Sequence, residues 1–543
     1  MIKNLFYGAI IIILLNSCSS KQKVDTICFN GQIITVDTAM SKKQAFAIRD
    51  GKFVEVGSDE SILSKYESLQ KIDLKQQFVY PGLIDAHSHF YGLGNFLQMV
   101  DLTGAKSWDE CVQRCKLFYA LHKPTILLGR GWDQNLWDSK SFPTNDKLNE
   151  LFAQIPVMLK RVDGHAAMVN DCVLKLALIT ESTKVSGGLV VTANNKATGV
   201  LVDNAVDLVE AVLPAITTSD KIKALKIAEQ HCFSYGLTSV CDAGLELNII
   251  HLIDSLQQSN TLGIRLYAMV SLNDENLKEA LQIGVYKTDM LNVSSFKMYA
   301  DGSLGSRGAC LIEPYSDDVH NKGFLLTDIH KMKKYIRQIA LSKFQLNTHC
   351  IGDSTNRYIL KLYSQALGKS NDRRWRIEHA QVVNPADLSL FKEYAIIPSV
   401  QPTHATSDMY WAVDRLGKER IKQAYAYQTL LQQNNWLPLG TDFPVESVSP
   451  FYTFYAAVSR QDADKKPIDG FNKENALSRE QALKGMTIWA AKAAFEENEK
   501  GSIETNKMAD FIVCDIDLLN EKDLLKIRNT KPQQVFVAGK KVK

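Results

Sequence analysis

The stretch Phe78-Val79-Tyr80-Pro81-Gly82-Leu83-Ile84-Asp85-Ala86-His87-Ser88-His89 divides the chain into two kinds of sequence. Upstream of it, short alternating segments predict strands over 25–30, 32–36, 45–48, 52–56 and 78–80, with Asn30-Gly31 and Asp50-Gly51 as hairpin signals. Downstream, eight apolar strand-like segments recur, most of them followed by helical patterns: 83–90, 238–243, 265–270, 295–300, 345–350, 375–379, 396–401 and 436–442. Eight is the number a closed (β/α)8 barrel needs, and the alternation with helices favours a parallel sheet. The helix after the fifth segment begins near Asp353 or Ser354 and stops at Gly368, and Ser478-Arg479-Glu480-Gln481 is a capping box that opens another. About 150 residues separate the first segment from the second, which predicts a large insertion, about 91–237, on the barrel's catalytic rim. The chain then ends in β sequence again, over 510–515, 534–537 and 540–542. Neither terminal piece has enough strands to stand alone. The expected fold is α/β: a (β/α)8 TIM barrel over 81–499, with a small β-sandwich domain composed of 24–80 and 500–543.

The chain has 543 residues, 45% hydrophobic and 23% charged, proportions that exclude disorder, a collagen-like fibre and a coiled-coil rod. Lys+Arg 63 against Asp+Glu 60 leaves a net charge of +3, too even a balance to bind nucleic acid through a general electrostatic field. The N-terminus reads as an address. Lys3, an apolar run from Leu5 to Leu15, and Leu15-Asn16-Ser17-Cys18 have the charge, apolar core and small-residue site of an export signal, in that order. The run is too short to span a bilayer comfortably. This segment resembles a bacterial lipoprotein lipobox. The resemblance implies a signal peptide over 1–17, cleavage before Cys18, lipid on its thiol and amine, and a tether over 18–23, giving an exported, membrane-anchored lipoprotein that faces the periplasm. The nine later cysteines show no CxxC pair and no repeating spacing, so neither a disulfide framework nor a Cys-based zinc site is expected.

Side chains alternate along a strand, so His87 and His89 share a face at the end of the first barrel segment. His349 ends the fifth segment, His379 the sixth and Asp442 the eighth. Metal-competent side chains thus sit at four of eight strand ends, where barrel active sites lie. Lys297 falls in the fourth segment, flanked by apolar residues that face the other way. An ammonium beside divalent metal is repelled. That leaves a neutral amine, a carbamate formed with carbon dioxide, or a structural lysine paired with a carboxylate. Parity sets one condition: Arg376 and Glu378 point to the barrel centre, so His379 reaches it only by turning inward just beyond the strand. In the insertion, Trp132, Asp133, Trp137 and Asp163-Gly164-His165 offer aromatic walls and polar groups that suit an organic amide. Both tryptophans suit the insertion's own core equally well.

Several further segments complete a pattern: Gly129-Arg130-Gly131-Trp132-Asp133-Gln134, Arg161-Val162-Asp163-Gly164-His165, Lys297-Met298-Tyr299-Ala300-Asp301-Gly302-Ser303-Leu304-Gly305-Ser306-Arg307, His349-Cys350-Ile351-Gly352-Asp353, Glu378-His379-Ala380-Gln381, Gly440-Thr441-Asp442-Phe443-Pro444 and Gly501-Ser502-Ile503-Glu504. With 78–89 they resemble the amidohydrolase superfamily, and within it family 3, the group that includes N-substituted formamide deformylases. The resemblance implies metal ligands at His87, His89, His349 and His379, a carboxylated Lys297 bridging two ions, and Asp442 as both ligand and proton carrier. It also tilts His165 towards stabilising substrate or intermediate, with Trp132, Asp133, Asp163, Arg307 and Gln401 as further substrate-binding candidates. One departure is Asn506, where the family's C-terminal pattern usually has Gly. One or two divalent ions are expected, zinc ahead of manganese, iron or cobalt. The activity implied is hydrolysis of a C–N bond, amide or N-formyl in type, in a small molecule by metal-activated water. An esterase or lactonase on the same site, and a catalytically inactive lipid-anchored binding protein, are the alternatives.

Overall fold

The computed structural model describes residues 21–134, 137–161, 166–185, 188–213, 217–305 and 307–543. The expectations for residues 1–20, Cys18 among them, and for Asp163 and His165 fall outside these ranges. Seven parallel strands run in sequence order around a barrel: β1 (Leu83–Ser88), β2 (Leu237–Leu245), β3 (Arg265–Ser271), β4 (Leu291–Tyr299), β5 (Gln345–Cys350), β6 (Arg376–His379) and β7 (Ile397–Ser399). They match the first seven segments anticipated from sequence. Their outward residues meet amphipathic helices, such as Ile329–Ala340, which buries Met332, Tyr335, Ile336 and Ile339 at helical spacing. The helix Asp353–Leu367 ends at Gly368, and the Ser478 capping box opens Arg479–Gly485.

The eighth segment, 436–442, departs from expectation because it is not a regular strand. It still closes the barrel. On the β7 side the Val400 amide donates to the Pro438 carbonyl and the Gly440 amide to the Val400 carbonyl. On the β1 side the Ala86 amide donates to the Leu439 carbonyl and the Asp442 amide to the His87 carbonyl. Pro438 has no N–H to add to a ladder. Gly440 lies so close to β1 that a Cβ there would sit 2.5 Å from the His87 nitrogen. Asp85 fastens the seam: its Oδ1 accepts the Thr441 amide at 3.0 Å and its Oδ2 the Thr441 hydroxyl at 2.7 Å.

The two chain ends combine into a pair of sheets. One has the order Lys52–Gly57, Ala45–Arg49, Thr26–Phe29, Gln70–Asp73, and in the other Phe511–Cys514 pairs antiparallel with Phe78–Pro81. A shared core of Phe46, Phe53, Phe511 and Phe536 fills the space between them. Asp50-Gly51 forms the expected hairpin, with φ of 51° and 72°. Asn30-Gly31 does not. Thr26–Phe29 and Gln32–Ile34 lie in different sheets, and the Asn30 turn carries the chain from one to the other. A buried ion pair joins this domain to the barrel: Arg265 Nε lies 2.6 Å from Asp510 Oδ2, and Nη2 lies 3.0 Å from Oδ1.

Between β1 and β2, the helices Phe90–Phe96 and Thr218–Ser234 pack on each other and on β2. The sequence they bracket forms a separate six-stranded sheet in the order Val100–Asp101, Leu127–Trp132, Val157–Arg161, Ala166–Val169, Lys196–Asp203, Gly188–Ala193. It has two apolar clusters of its own, one including Trp132 and Trp137 and the other including Val173 and Val206.

Candidate active site and metal centre

The strand ends of the barrel bring the predicted ligands to one place, and hydrogen bonds orient His87 and His379. His87, fully buried, presents Nδ1 to Glu378 Oε2 at 2.5 Å, while Glu378 Oε1 accepts Arg376 Nε at 2.5 Å. That leaves His87 Nε2 facing Lys297 Nζ at 3.3 Å and Asp442 Oδ1 at 3.6 Å. His89 caps the helix Phe90–Phe96, whose Tyr91 amide donates to Asp242, and its Nε2 lies 3.2 Å from Asp442 Oδ1.

His379 meets the parity condition through its backbone. His379 and the following Ala380 have φ of 72° and 41°, a left-handed turn that swings the imidazole inward. Gln401 Oε1 then accepts from His379 Nδ1 at 2.8 Å, which makes Gln401 an orienting group for a histidine. The His379 ring centroid lies 4.5 Å from that of His349 and 4.8 Å from that of His87. His349 Nε2 is buried with no hydrogen-bond partner among the described residues.

Burial sets the protonation of these groups. It pulls His87 down to about 4 and His349 to about 3, with the Lys297 charge adding to both. It also lowers Lys297 to about 8, against the pull of Glu378 and Asp442. Burial opposes the charge on Asp442, but the hydrogen bond from His404 and the nearby His89 outweigh it and hold the carboxyl well below the usual range. His87, His349 and His379 are therefore held neutral beside an ionised carboxylate, and Lys297 gives up its proton more readily than a free lysine.

Sequence reasoning missed His404. It lies in the first turn of the helix Pro402–Arg420, directly after β7, with Nε2 3.2 Å from Asp442 Oδ2 and Nδ1 3.1 Å from Glu446 Oε1. Its signal in the sequence is a proline-opened helix following a barrel strand end, Gln401-Pro402-Thr403-His404. Glu378 was placed at the barrel centre by parity but given no role.

The donor set fits a divalent ion. His87, His89 and Asp442 form one group, and His379, His404 and Asp442 another, with the ligand atoms of each group within 4.8 Å of one another. Donors about 2.0–2.1 Å from a tetrahedral zinc lie about 3.3–3.4 Å apart. The His89–Asp442 and His404–Asp442 separations are 3.2 Å.

The remaining candidates are engaged by other groups. Trp132, expected to line a pocket, is fully buried in the inserted sheet's core, where its indole N–H donates to the Leu159 carbonyl at 2.7 Å. Trp137 packs beside it at 6.1 Å between ring centroids. Their core reading is the one realised. Asp133 is paired with Arg161 Nη2 at 2.6 Å. Arg307 is held at the surface by Asp317, with Nη2 2.8 Å from Oδ2, and Arg415 shares the same carboxylate.

The amidohydrolase family profile matches residues 70–542. The chain belongs to the amidohydrolase family. It is 30% identical over 516 residues to Protein LONG AFTER FAR-RED 3 of Arabidopsis thaliana, covering 92% of this chain and 88% of that one. It is also 30% identical over 501 residues to the putative amidohydrolase YtcJ of Bacillus subtilis strain 168, covering 90% and 94%. More distantly, it is 23% identical over 522 residues to the N-substituted formamide deformylase of Arthrobacter pascens, covering 91% and 94%. Among solved structures, an uncharacterized metal-dependent hydrolase from Pyrococcus horikoshii OT3 superposes with a TM-score of 0.79 at 29% identity, covering 92% of this chain and 98% of that one. The protein is a hydrolase of the metal-dependent amidohydrolase type, and the histidines and Asp442 at the barrel mouth are its candidate metal site.

Proposed function

We propose that this enzyme hydrolyses an amide-type C–N bond, N-formyl amides included, in a small organic molecule, and that it works as an exported protein tethered by lipid at Cys18. The convergence of His87, His89, Lys297, His349, His379 and Asp442 at the C-terminal end of one barrel carries the reading of the chemistry. The similarity to a formamide deformylase over most of both chains supports the choice of bond. The order of charge, apolar run and Cys18 supports the tether.

The four histidines and Asp442 would hold the metal, with Lys297 joining them as a carbamate. The chemistry a divalent ion would supply there is polarisation of the substrate carbonyl and activation of water near neutral pH. Lys297, whose pKa burial lowers to about 8, loses its ammonium proton more readily than a free lysine; the amine so formed would add to carbon dioxide, the N–C bond forming as a second proton leaves, to give an anionic oxygen donor. Asp442, ionised and aimed at His89 and His404, accepts the proton as water attacks the carbonyl carbon. It returns that proton to the nitrogen as the C–N bond breaks, so a carboxylic acid and an amine leave.

Metal analysis of the purified chain, followed by a panel of N-formyl amines, other amides, esters and lactones, tests this reading. Metal-dependent turnover is expected on amides first. Turnover confined to esters or lactones moves the assignment to the leaving oxygen, and a metal-free protein inert on the whole panel rejects hydrolysis.

A further inference from the structure

Three histidines around the centre share one arrangement. His87 presents Nδ1 to Glu378 at 2.5 Å, His379 to Gln401 at 2.8 Å and His404 to Glu446 at 3.1 Å, and each thereby turns Nε2 inward. Metal-binding histidines nearly always carry such a partner on the second nitrogen, which fixes the ring and raises its basicity. His404 has this feature although it comes from a helix rather than a barrel strand.

Its surroundings complete the case. The His404 side chain is 11% exposed, and its Nε2 meets Asp442 Oδ2 at 3.2 Å, while Oδ1 of the same carboxylate faces His89 at 3.2 Å. The two oxygens of Asp442 are thus divided between two histidine groups. His349 lies on the His379 side, with an Nε2 that has no partner among the described residues. Position is fixed from behind, since Tyr427 donates to the Gln401 carbonyl at 2.9 Å just before Pro402 opens the helix.

Resting on the metal-dependent reading above, we infer that His404 is a metal ligand. With His379 and Asp442 it forms a second divalent-metal position beside that of His87, His89 and Asp442, and Asp442 bridges the two. Two imidazoles and a carboxylate suit zinc.

The test is a metal titration of the full chain, stripped with a chelator and reloaded with Zn(II), for wild type, His404→Ala and Glu446→Gln. Bound zinc is counted by elemental mass spectrometry, and affinity is measured by competition with a chromophoric chelator. Wild type is expected to take up two ions. His404→Ala should keep the first and bind the second at least 100-fold more weakly. Glu446→Gln leaves both ring nitrogens in place and should weaken the second ion about 10- to 100-fold. Circular dichroism establishes first that each variant is folded; if His404→Ala is not, the Glu446→Gln titration decides. Two ions bound with unchanged affinity in the folded variants, or a wild type that takes up only one, overturns the inference and leaves His404 as a hydrogen-bond partner of Asp442. A wild type that binds no zinc overturns the metal-dependent reading itself, so the two failures are distinct.

Discussion

Replacing Glu378 with Gln probes the deepest layer of the site. The carboxylate is fully buried and serves two donors, His87 Nδ1 and Arg376 Nε, each at 2.5 Å. Burial alone raises its pKa, but Arg376 and then His87 outweigh it and bring the carboxyl down from 4.5 to about 2. A carboxyl held near 2 adds about 3 kcal/mol to folding above pH 4.5, and this contribution is lost as pH falls through the folded value. Gln keeps the shape but offers one acceptor oxygen and an NH2 group, so one of the two donors faces another donor. Arg376, whose Nη1 already has no partner among the described residues, also loses its counter-charge. Breaking a buried pair from one side costs about 3–5 kcal/mol. Glu378→Gln should therefore unfold in urea with a free energy about 3 kcal/mol lower at pH 7, and the gap to wild type should narrow as the pH is taken below 4.5. Because His87 loses its orienting partner, metal affinity measured by chelator competition should fall about 10- to 100-fold. A variant within about 1 kcal/mol of wild type at pH 7 and with unchanged metal affinity refutes this reasoning.

Four other outcomes are expected. Lys297→Ala should lose metal and turnover together, with short carboxylic acids restoring part of both; full metal loading without added acid rejects the carbamate. Asp442→Asn, nearly isosteric, should stay folded and lose about 10² to 10⁴-fold or more in turnover, with metal counted on the same sample, and a fully loaded variant with near wild-type turnover moves the proton-carrying role elsewhere. Arg265→Met should lower the unfolding free energy by about 3–5 kcal/mol, because Asp510 is left buried and unpaired; a loss below about 1 kcal/mol shows that the pair does not couple the two domains. In the native host, Cys18→Ala should leave the membrane fraction, and mass spectrometry that finds an intact, unmodified Met1 terminus rejects lipidation.

What the sequence made legible follows from periodicity. Seven barrel strands were visible because a buried parallel strand is an apolar run of fixed length, and His87, His89, His349, His379 and Lys297 stood out because they interrupt such runs near strand ends. The eighth segment kept the apolar composition of a strand, but Pro438 and the close approach of Gly440 to β1 remove its regular ladder, which composition does not reveal. Trp132 shows the opposite difficulty. An aromatic residue in an insertion reads alike as pocket wall or core until its indole partner, here the Leu159 carbonyl, is known. His404 was illegible for another reason: its role depends on Asp442 and Glu446, which lie about 40 residues away and are brought near only by barrel closure.

Barrel closure and the placing of Asp442 rest on the same bonds in this protein. Asp442 lies at φ 64° and His379 at φ 72°, conformations that cost a non-glycine residue roughly 1–2 kcal/mol each. Both are held from outside their own segments. The Asp442 amide donates to the His87 carbonyl, and Asp85 clamps the adjacent Thr441 through its backbone and hydroxyl. His379 is held by Gln401, the residue that leads from β7 into the His404 helix. The bonds that close the ring against β1 thus hold Asp442, and a side-chain bond from the end of β7 holds His379, off the regular strand path and towards a common point. A regular eighth strand would complete the ladder, but its alternation would return Asp442 to a fixed strand face. The irregularity of 436–442 is therefore a structural condition for the metal site.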